Sequence, residues 1–217
     1  MSDDKPTQRA VKRFFDILAA ITALILLSPL LIVLFVMIWI AMGSPIFFRQ
    51  RRLGYQGRPF TILKFRTMTM EKDKDGNLLP NRQRITRLGH FLRRTTLDEL
   101  PELINVLKGE MSLVGPRPLL VDYLDLYSLE QWRRHEMPPG MAGPVLADGR
   151  NALSWEEKFS RDVWYVDNWS LWLDLKILIR TAFKVIKGEG ISAEGYATMP
   201  RFTGTESRNN KRDTIKN

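Results

Sequence analysis

Residues 17–42 form a run of 26 amino acids without a single charged side chain. A helix of that length is enough to cross a bilayer. The run is too long for a signal peptide and lacks a convincing small-residue cleavage site. Ser28-Pro29 falls in its middle. A proline removes one backbone hydrogen bond and clashes with the preceding turn, while a serine hydroxyl can re-satisfy a freed carbonyl. The segment therefore either crosses as a kinked helix or breaks and turns back. Lys12 and Arg13 precede it; Arg49, Arg51, Arg52 and Arg58 follow it. Basic flanks favour the cytoplasmic side, and a helix–break–helix hairpin keeps both sets there.

With 217 residues the chain can form one domain plus a tail, or two small domains. A net charge of +9 and a pI near 9.9 call for an acidic partner: nucleic acid, anionic lipid or a phosphorylated substrate. The absence of cysteine excludes disulfides and thiolate metal sites. His90 and His135 lie far apart without ligand spacing, so any metal is a hard cation held by carboxylate and phosphate oxygens.

Beyond the apolar run, Gly43-Ser44-Pro45 is a breaker. Residues 46–48 and 60–65 read as short strands around a turn at 54–57. Residues 71–80 are charged and turn-rich, which predicts a surface loop. Asp73, Asp75 and Asn77 invite a calcium reading, but the twelfth position of such a loop is Arg84 rather than glutamate. Amphipathic helices are expected at 119–135, 155–165 and 169–187. On the last of these Lys176, Arg180, Lys184 and Lys187 form a basic stripe near Trp155, Trp164, Trp169 and Trp172. That pattern suits a membrane interface or, equally, a core helix with one solvated face. From residue 198 the chain is polar, which predicts a flexible tail.

The centre of the sequence is Arg93-Arg94-Thr95-Thr96-Leu97-Asp98-Glu99-Leu100-Pro101, continuing to Gly115-Pro116-Arg117-Pro118. Leu97, Leu100, Leu103, Ile104 and Leu107 recur at helical spacing, which turns one face inward. Two starts are open. Thr96 with Glu99 fits a capping box, whereas Asp98 as N-cap places Pro101 in the first turn. Either puts Asp98 at the positive end of a helix dipole, favouring its ionised form and a nearby phosphate. Neighbouring helical residues diverge by about 100°, so Asp98 and Glu99 cannot share one proton and must do different jobs if both act. An Asp-Glu pair at a helix start is by itself more often a cap than a catalyst. Arg93, Arg117 and Arg150 each adjoin glycine, proline or a helix start, where a guanidinium can be aimed at phosphate.

Taken together these motifs resemble the small monotopic phosphoglycosyl transferases of the bacterial sugar transferase family. The resemblance spans residues 12–197. It rests on the Ser28-Pro29 break, Lys64-Phe65-Arg66-Thr67-Met68, Leu97-Asp98-Glu99-Leu100-Pro101-Glu102-Leu103 and Asn105-Val106-Leu107-Lys108-Gly109. It continues with Met111-Ser112-Leu113-Val114-Gly115-Pro116-Arg117-Pro118, Gly149-Arg150-Asn151 and Tyr165-Val166-Asp167-Asn168. Within that family it is most similar to minimal enzymes that transfer phospho-N-acetylbacillosamine-type sugars and have no extra N-terminal spans.

The resemblance implies a mainly α fold with a few short strands. Residues 1–45 would hold a re-entrant membrane helix broken at Ser28 and Pro29. Residues 46–197 would form a cytosolic catalytic domain with interfacial helices, and 198–217 the tail. It implies the bacterial inner membrane, with the catalytic domain on the cytoplasmic face. It also implies transfer of a sugar-1-phosphate, with an N-acetylated amino sugar expected, from a UDP-sugar to undecaprenyl or another polyprenyl phosphate. UMP is released, and the product begins glycoconjugate assembly. Asp98 matches the nucleophile, which forms an aspartyl-phosphosugar intermediate and also serves at the magnesium site. Glu99 matches its partner, as proton acceptor or metal-site residue. Lys64, Arg93, Arg117, Arg150, Asp162 and Asp174 match polar positions assigned to substrate and phosphate. The partners implied are the UDP-sugar, the lipid phosphate, Mg2+ and the membrane; a homodimer is allowed and nucleic acid is not expected.

The chain departs from the family at residues 139–151. The family pattern Pro-Gly-Ile-Thr-Gly-Trp-Ala-Gln-Val-Asn-Gly-Arg-Asn is here Pro139-Gly140-Met141-Ala142-Gly143-Pro144-Val145-Leu146-Ala147-Asp148-Gly149-Arg150-Asn151. Pro144 replaces a tryptophan beside Arg150, which bears on nucleotide or sugar selectivity. It is also the one feature in favour of a catalytically impaired membrane scaffold of the same fold. A basic nucleic-acid-binding protein and a hydrolase of membrane phosphates are the other rivals; the uncharged run argues against the first.

Overall fold

The computed structural model describes residues 6–148, 153–187 and 201–204. Helices predominate and the strands are few and short, as expected. α1 (Pro6–Leu26) carries Lys12, Asp16 and Ala20 on its buried face, four residues apart. The chain then bends by 64° into α2 (Ser28–Met42). At the bend Leu27 still donates to the Ala23 carbonyl and Ser28 Oγ donates to the Ile25 carbonyl at 2.8 Å, while Pro29 sits in the first turn of α2. The serine thus fills the role read from the sequence. Neither helix alone is long and apolar enough to cross a membrane; the bent pair is, by length and composition. Its outward faces are apolar, with Leu26 72% and Ile40 75% exposed.

Both helices rest on the rest of the molecule. Ala20 packs with Leu103, Val106 and Met111; Leu34 and Ile38 pack with Ile46, Phe65 and Leu92. An antiparallel hairpin of β1 (Phe47–Leu53) and β2 (Pro59–Phe65) follows. The first strand runs on past Phe48 because all seven residues of each strand find partners. The charged stretch 71–80 is an exposed loop in which Asp73 Oδ1 accepts from the amides of Asp75 and Asn77.

After the short α3 (Asn81–Arg84), Thr86 caps α4 (Arg87–Thr95) by accepting from the Gly89 amide at 2.9 Å. Neither expected start of the next helix is correct. Thr96 ends α4 in the left-handed region (φ 61°), and its hydroxyl makes no cap. Residues Leu97–Glu99 form a 3-10 turn, and α5 (Glu102–Lys108) begins only after Pro101. The inward leucines are as expected: Leu103 is buried, and Leu97, Leu100 and Leu107 pack against two core clusters.

β3 (Ser112–Val114) pairs in parallel with β4 (Gly140–Ala142), and α7 (Pro144–Asp148) follows β4. Between the strands, the single helix expected at 119–135 is instead three short pieces. These are a 3-10 segment Val121–Leu126, α6 (Leu129–Trp132) and a 3-10 turn Arg133–Glu136. Ser128 explains the interruption. It forms a reciprocal capping box with Gln131, so the chain restarts at α6. α8 (Trp155–Asn168) opens with a second such box, Ser154 with Glu157. α9 (Leu171–Lys187) is not a core helix. Asp174 and Ile177 are its buried residues among those described, while Trp172, Leu175, Leu178, Ile179 and Phe183 are exposed beside Lys176, Arg180 and Lys187.

Candidate active site

The hairpin, the turn before α5, the Gly-Pro-Arg-Pro segment and α8 enclose a cleft of about 1250 Å³. Ten lysine and arginine side chains line it against three carboxylates, so its field favours an anion. The 3-10 turn places Asp98 and Glu99 on its wall, in different environments. Glu99 is buried and accepts from Lys64 Nζ at 2.6 Å and from Arg117 Nη2 at 2.7 Å. Burial works against its charge, but Arg117 and Lys64 outweigh burial and hold its carboxyl well below the usual range. Lys64 also reaches Glu102 Oε1 at 3.0 Å. Burial and the Glu99 charge push Glu102 up to about 7.

Asp98 is only partly buried and, among the described residues, its carboxylate takes no hydrogen bond. Burial and the charge of Glu99 raise its pKa, against the pull of Lys64, Arg93 and Arg117. The dipole effect expected from a helix start loses here, because Asp98 precedes α5 by a full turn and α5 is only seven residues long. A raised pKa makes the ionised oxygen more basic, and nothing in the described protein occupies it.

The cations around it are aimed by their neighbours. Arg93 Nε donates to Thr67 Oγ1 at 2.9 Å, which leaves its Nη groups uncommitted among the described residues. Arg117 follows a backbone contact that only glycine permits: a Cβ on Gly140 would lie 2.0 Å from the Gly115 nitrogen. The Arg117 carbonyl accepts from Arg134 Nη2 at 2.7 Å, and Arg134 in turn makes two bonds to Asp162 Oδ2. Val145 and Leu146 of the altered loop line the cleft as well.

Of the residues singled out in the sequence, Lys64, Arg93, Asp98, Glu99, Arg117 and Asp162 meet in this cleft. Asp174 does not. It is buried against Lys12 Nζ (2.6 Å), Tyr165 Oη (2.7 Å) and Trp169 Nε1 (3.2 Å), joining α9 to α1. Arg150 lies outside the described residues. Ser28 and Pro29 stand at the bend. Sequence reading passed over Glu102, whose spacing from Asp98 and Glu99 was the available signal. It also passed over Arg134, hidden in a supposed amphipathic helix. Among the described residues no group of three or more carboxylate or histidine side chains forms a metal cage.

The sequence model described as "bacterial sugar transferase" matches residues 7–188. A Bacillus subtilis (strain 168) protein named uncharacterized sugar transferase EpsL is 54% identical over 195 residues, covering 90% of this chain and 96% of that protein. The UDP-galactose-lipid carrier transferase of Erwinia amylovora is 42% identical over 204 residues, covering 86% of this chain. The UDP-glucose:undecaprenyl-phosphate glucose-1-phosphate transferase of Klebsiella pneumoniae is 40% identical over 183 residues, covering 80% of this chain. The matches span only 42% and 39% of these last two proteins.

Proposed function

Because the chain belongs to the bacterial sugar transferase family, we propose that it moves a sugar-1-phosphate from a UDP-sugar to a polyprenyl phosphate at a membrane surface. The observation that carries this reading is the uncommitted Asp98 carboxylate inside a cation-lined cleft. An Asp98 oxygen attacks the sugar-bearing phosphorus. The bond from that phosphorus to the bridging oxygen breaks, and UMP leaves with the electron pair. The phosphosugar is then an acyl phosphate on Asp98. A phosphate oxygen of the polyprenyl acceptor attacks the same phosphorus, the Asp98–phosphorus bond breaks, and the carboxylate is restored.

Lys64, Arg93 and Arg117 stabilise the charge that develops on the transferred phosphoryl oxygens. Glu99 acts through two of them: as an ionised carboxylate it fixes Lys64 and Arg117 in place. Magnesium, which is commonly bound through one or two carboxylates and substrate phosphates while keeping several waters, would be held here by the Asp98 carboxylate. It would supply charge neutralisation at the phosphates.

The bent α1–α2 pair and the apolar side of α9 form the membrane-facing surface in this reading, with both basic flanks and the cleft on the cytoplasmic side. The donor is open among UDP-galactose, UDP-glucose and UDP-N-acetylated amino sugars. The scaffold alternative has the altered loop as its support. The loop nevertheless keeps Gly140 and Gly143 against Gly115, and so keeps the approach that seats Arg117.

The test is UMP release from a panel of these donors, in detergent with magnesium, with and without polyprenyl phosphate. Lipid-dependent release with one donor, lost in Asp98→Asn, supports the transferase. Folded, membrane-bound protein that releases UMP from no donor favours the scaffold.

A further inference from the structure

The cleft has two ends, and the hairpin measures the distance between them. At one end Phe48 lies opposite Lys64, a few residues beyond the end of α2. Six residues along β1 from Phe47, about 20 Å at the usual strand rise, Leu53 bonds to Leu119 and Arg52 bridges to Leu120. At that far end Tyr123 and, from α8, Trp155, Lys158 and Phe159 line the wall.

A piece of the expected polar tail reaches this far end. Phe202 is 4% exposed, with its ring 4.9 Å from Phe159 and 5.7 Å from Tyr123 between centroids. Its amide donates to Tyr123 Oη at 3.1 Å. The anchored Phe202 sets Arg201 on the cleft wall, where its side chain is 77% exposed and its ion-pair partner among the described residues is Asp122, at 4.0 Å. So long and exposed a pair holds the guanidinium weakly. On the same cleft wall the buried Asp162 keeps Oδ1 without a hydrogen-bond donor among the described residues.

We propose that Arg201 is a donor-recognition residue whose guanidinium binds the nucleoside-phosphate half of the UDP-sugar, the half that leaves as UMP. This rests on the reading under Proposed function. The two ends of the cleft decide between donor and acceptor. A polyprenyl chain stays on apolar surface, and the exposed apolar face of α2 adjoins the Phe48 end. The reacting phosphorus lies at Asp98, close to Lys64 and therefore at that same end. A UDP-sugar placed there extends its UMP half along the hairpin, toward Arg201. Phe202 is the positioning residue that delivers it.

The experiment is calorimetric titration of UMP into the full chain in detergent, together with steady-state kinetics in each substrate. It compares wild type, Arg201→Ala, Arg201→Lys and Phe202→Ala. Loss of one charge-assisted contact weakens UMP binding and raises KM for the UDP-sugar by about tenfold in Arg201→Ala. Arg201→Lys recovers part of the loss, Phe202→Ala reproduces it, and KM for polyprenyl phosphate does not move. An unchanged melting temperature in Arg201→Ala separates recognition from folding. UMP affinity within about twofold of wild type in Arg201→Ala overturns the inference, as does a change confined to the lipid KM. Wild-type protein that neither binds UMP nor turns over any UDP-sugar removes the transferase reading, and this inference with it.

Discussion

Asp174 and Asp98 are both carboxylates drawn out of bulk water beside a lysine, yet their surroundings are finished differently. Asp174 takes a hydrogen bond from Lys12, Tyr165 and Trp169, so both of its oxygens are engaged. Asp16, one turn along α1 from Lys12, is likewise engaged by Ser112 Oγ and the Leu113 amide. Around Asp98 two of the three cations, Lys64 and Arg117, are engaged by Glu99 and Glu102, Arg93 is held only through Nε by Thr67, and among the described residues Asp98 itself is left over. A closed polar network fixes one packing arrangement, here of α1 on α9 and β3. An open one in a cleft keeps a reactive group available, and it is the kind of local inconsistency expected at a functional site.

Substitution at the two aspartates should separate them. Asp98→Asn should lower UMP release on the order of 10⁴-fold or more, the scale expected when a covalent nucleophile is removed. Its melting temperature should stay at or above wild type, since a strained charge is removed. Asp174→Asn should do the reverse. Uncovering the buried Lys12 costs roughly 3–5 kcal/mol of stability, read as a lower melting temperature, while turnover per folded molecule changes little. Equal effects of the two substitutions on turnover would erase the distinction.

His135 is an intermediate case. The residue is 3% exposed, Nδ1 lies 3.1 Å from the Gly54 carbonyl, and Nε2 has no hydrogen-bond partner among the described residues. Burial and the charge of Arg134 lower its pKa to about 4. Between that value and the ordinary one near 6.5 the unfolded chain binds a proton that the folded chain does not. Stability is therefore complete above about pH 6.5 and falls on acidification toward pH 4, by up to about 3 kcal/mol. Melting temperatures across that range should show the slope, and His135→Gln should flatten it.

The smallest expected effect belongs to Glu99, which acts at one remove. Glu99→Gln should keep the side chain's shape but release Lys64 and Arg117. That lowers kcat about 10²-fold, near 2.7 kcal/mol of transition-state stabilisation, with less change in KM. A larger effect than that of Asp98→Asn would reverse the roles assigned to the pair.

How far these distinctions could be read from sequence depends on how local their causes are. The Ser28-Pro29 bend, the hairpin and the exposed loop at 71–80 follow from proline chemistry, alternation and turn residues within a few positions. The start of α5 did not, because the left-handed Thr96 and the 3-10 turn after it answer to packing of Leu97 and Leu100 on α2 and α4 rather than to cap preference. The break in 119–135 was locally encoded, in Ser128 and Gln131, but its apolar spacing masked it.

Adjacent Asp98 and Glu99 marked the site. Their different environments were out of reach because Lys64 and Arg117 come from elements 35 and 18 residues away from Glu99. Asp174 shows the converse: a motif position whose charge is spent on holding helices together. Phe202 left one faint signal, as the only aromatic residue after Tyr196.

The most direct test of the account is intact-protein mass spectrometry after mixing the enzyme with its UDP-sugar in the absence of polyprenyl phosphate. The account predicts a single added phosphosugar, mapped to Asp98 by fragmentation, absent in Asp98→Asn and discharged when the lipid phosphate is added. Lipid-dependent turnover without any such adduct under rapid quench, or an adduct on another residue, would contradict it.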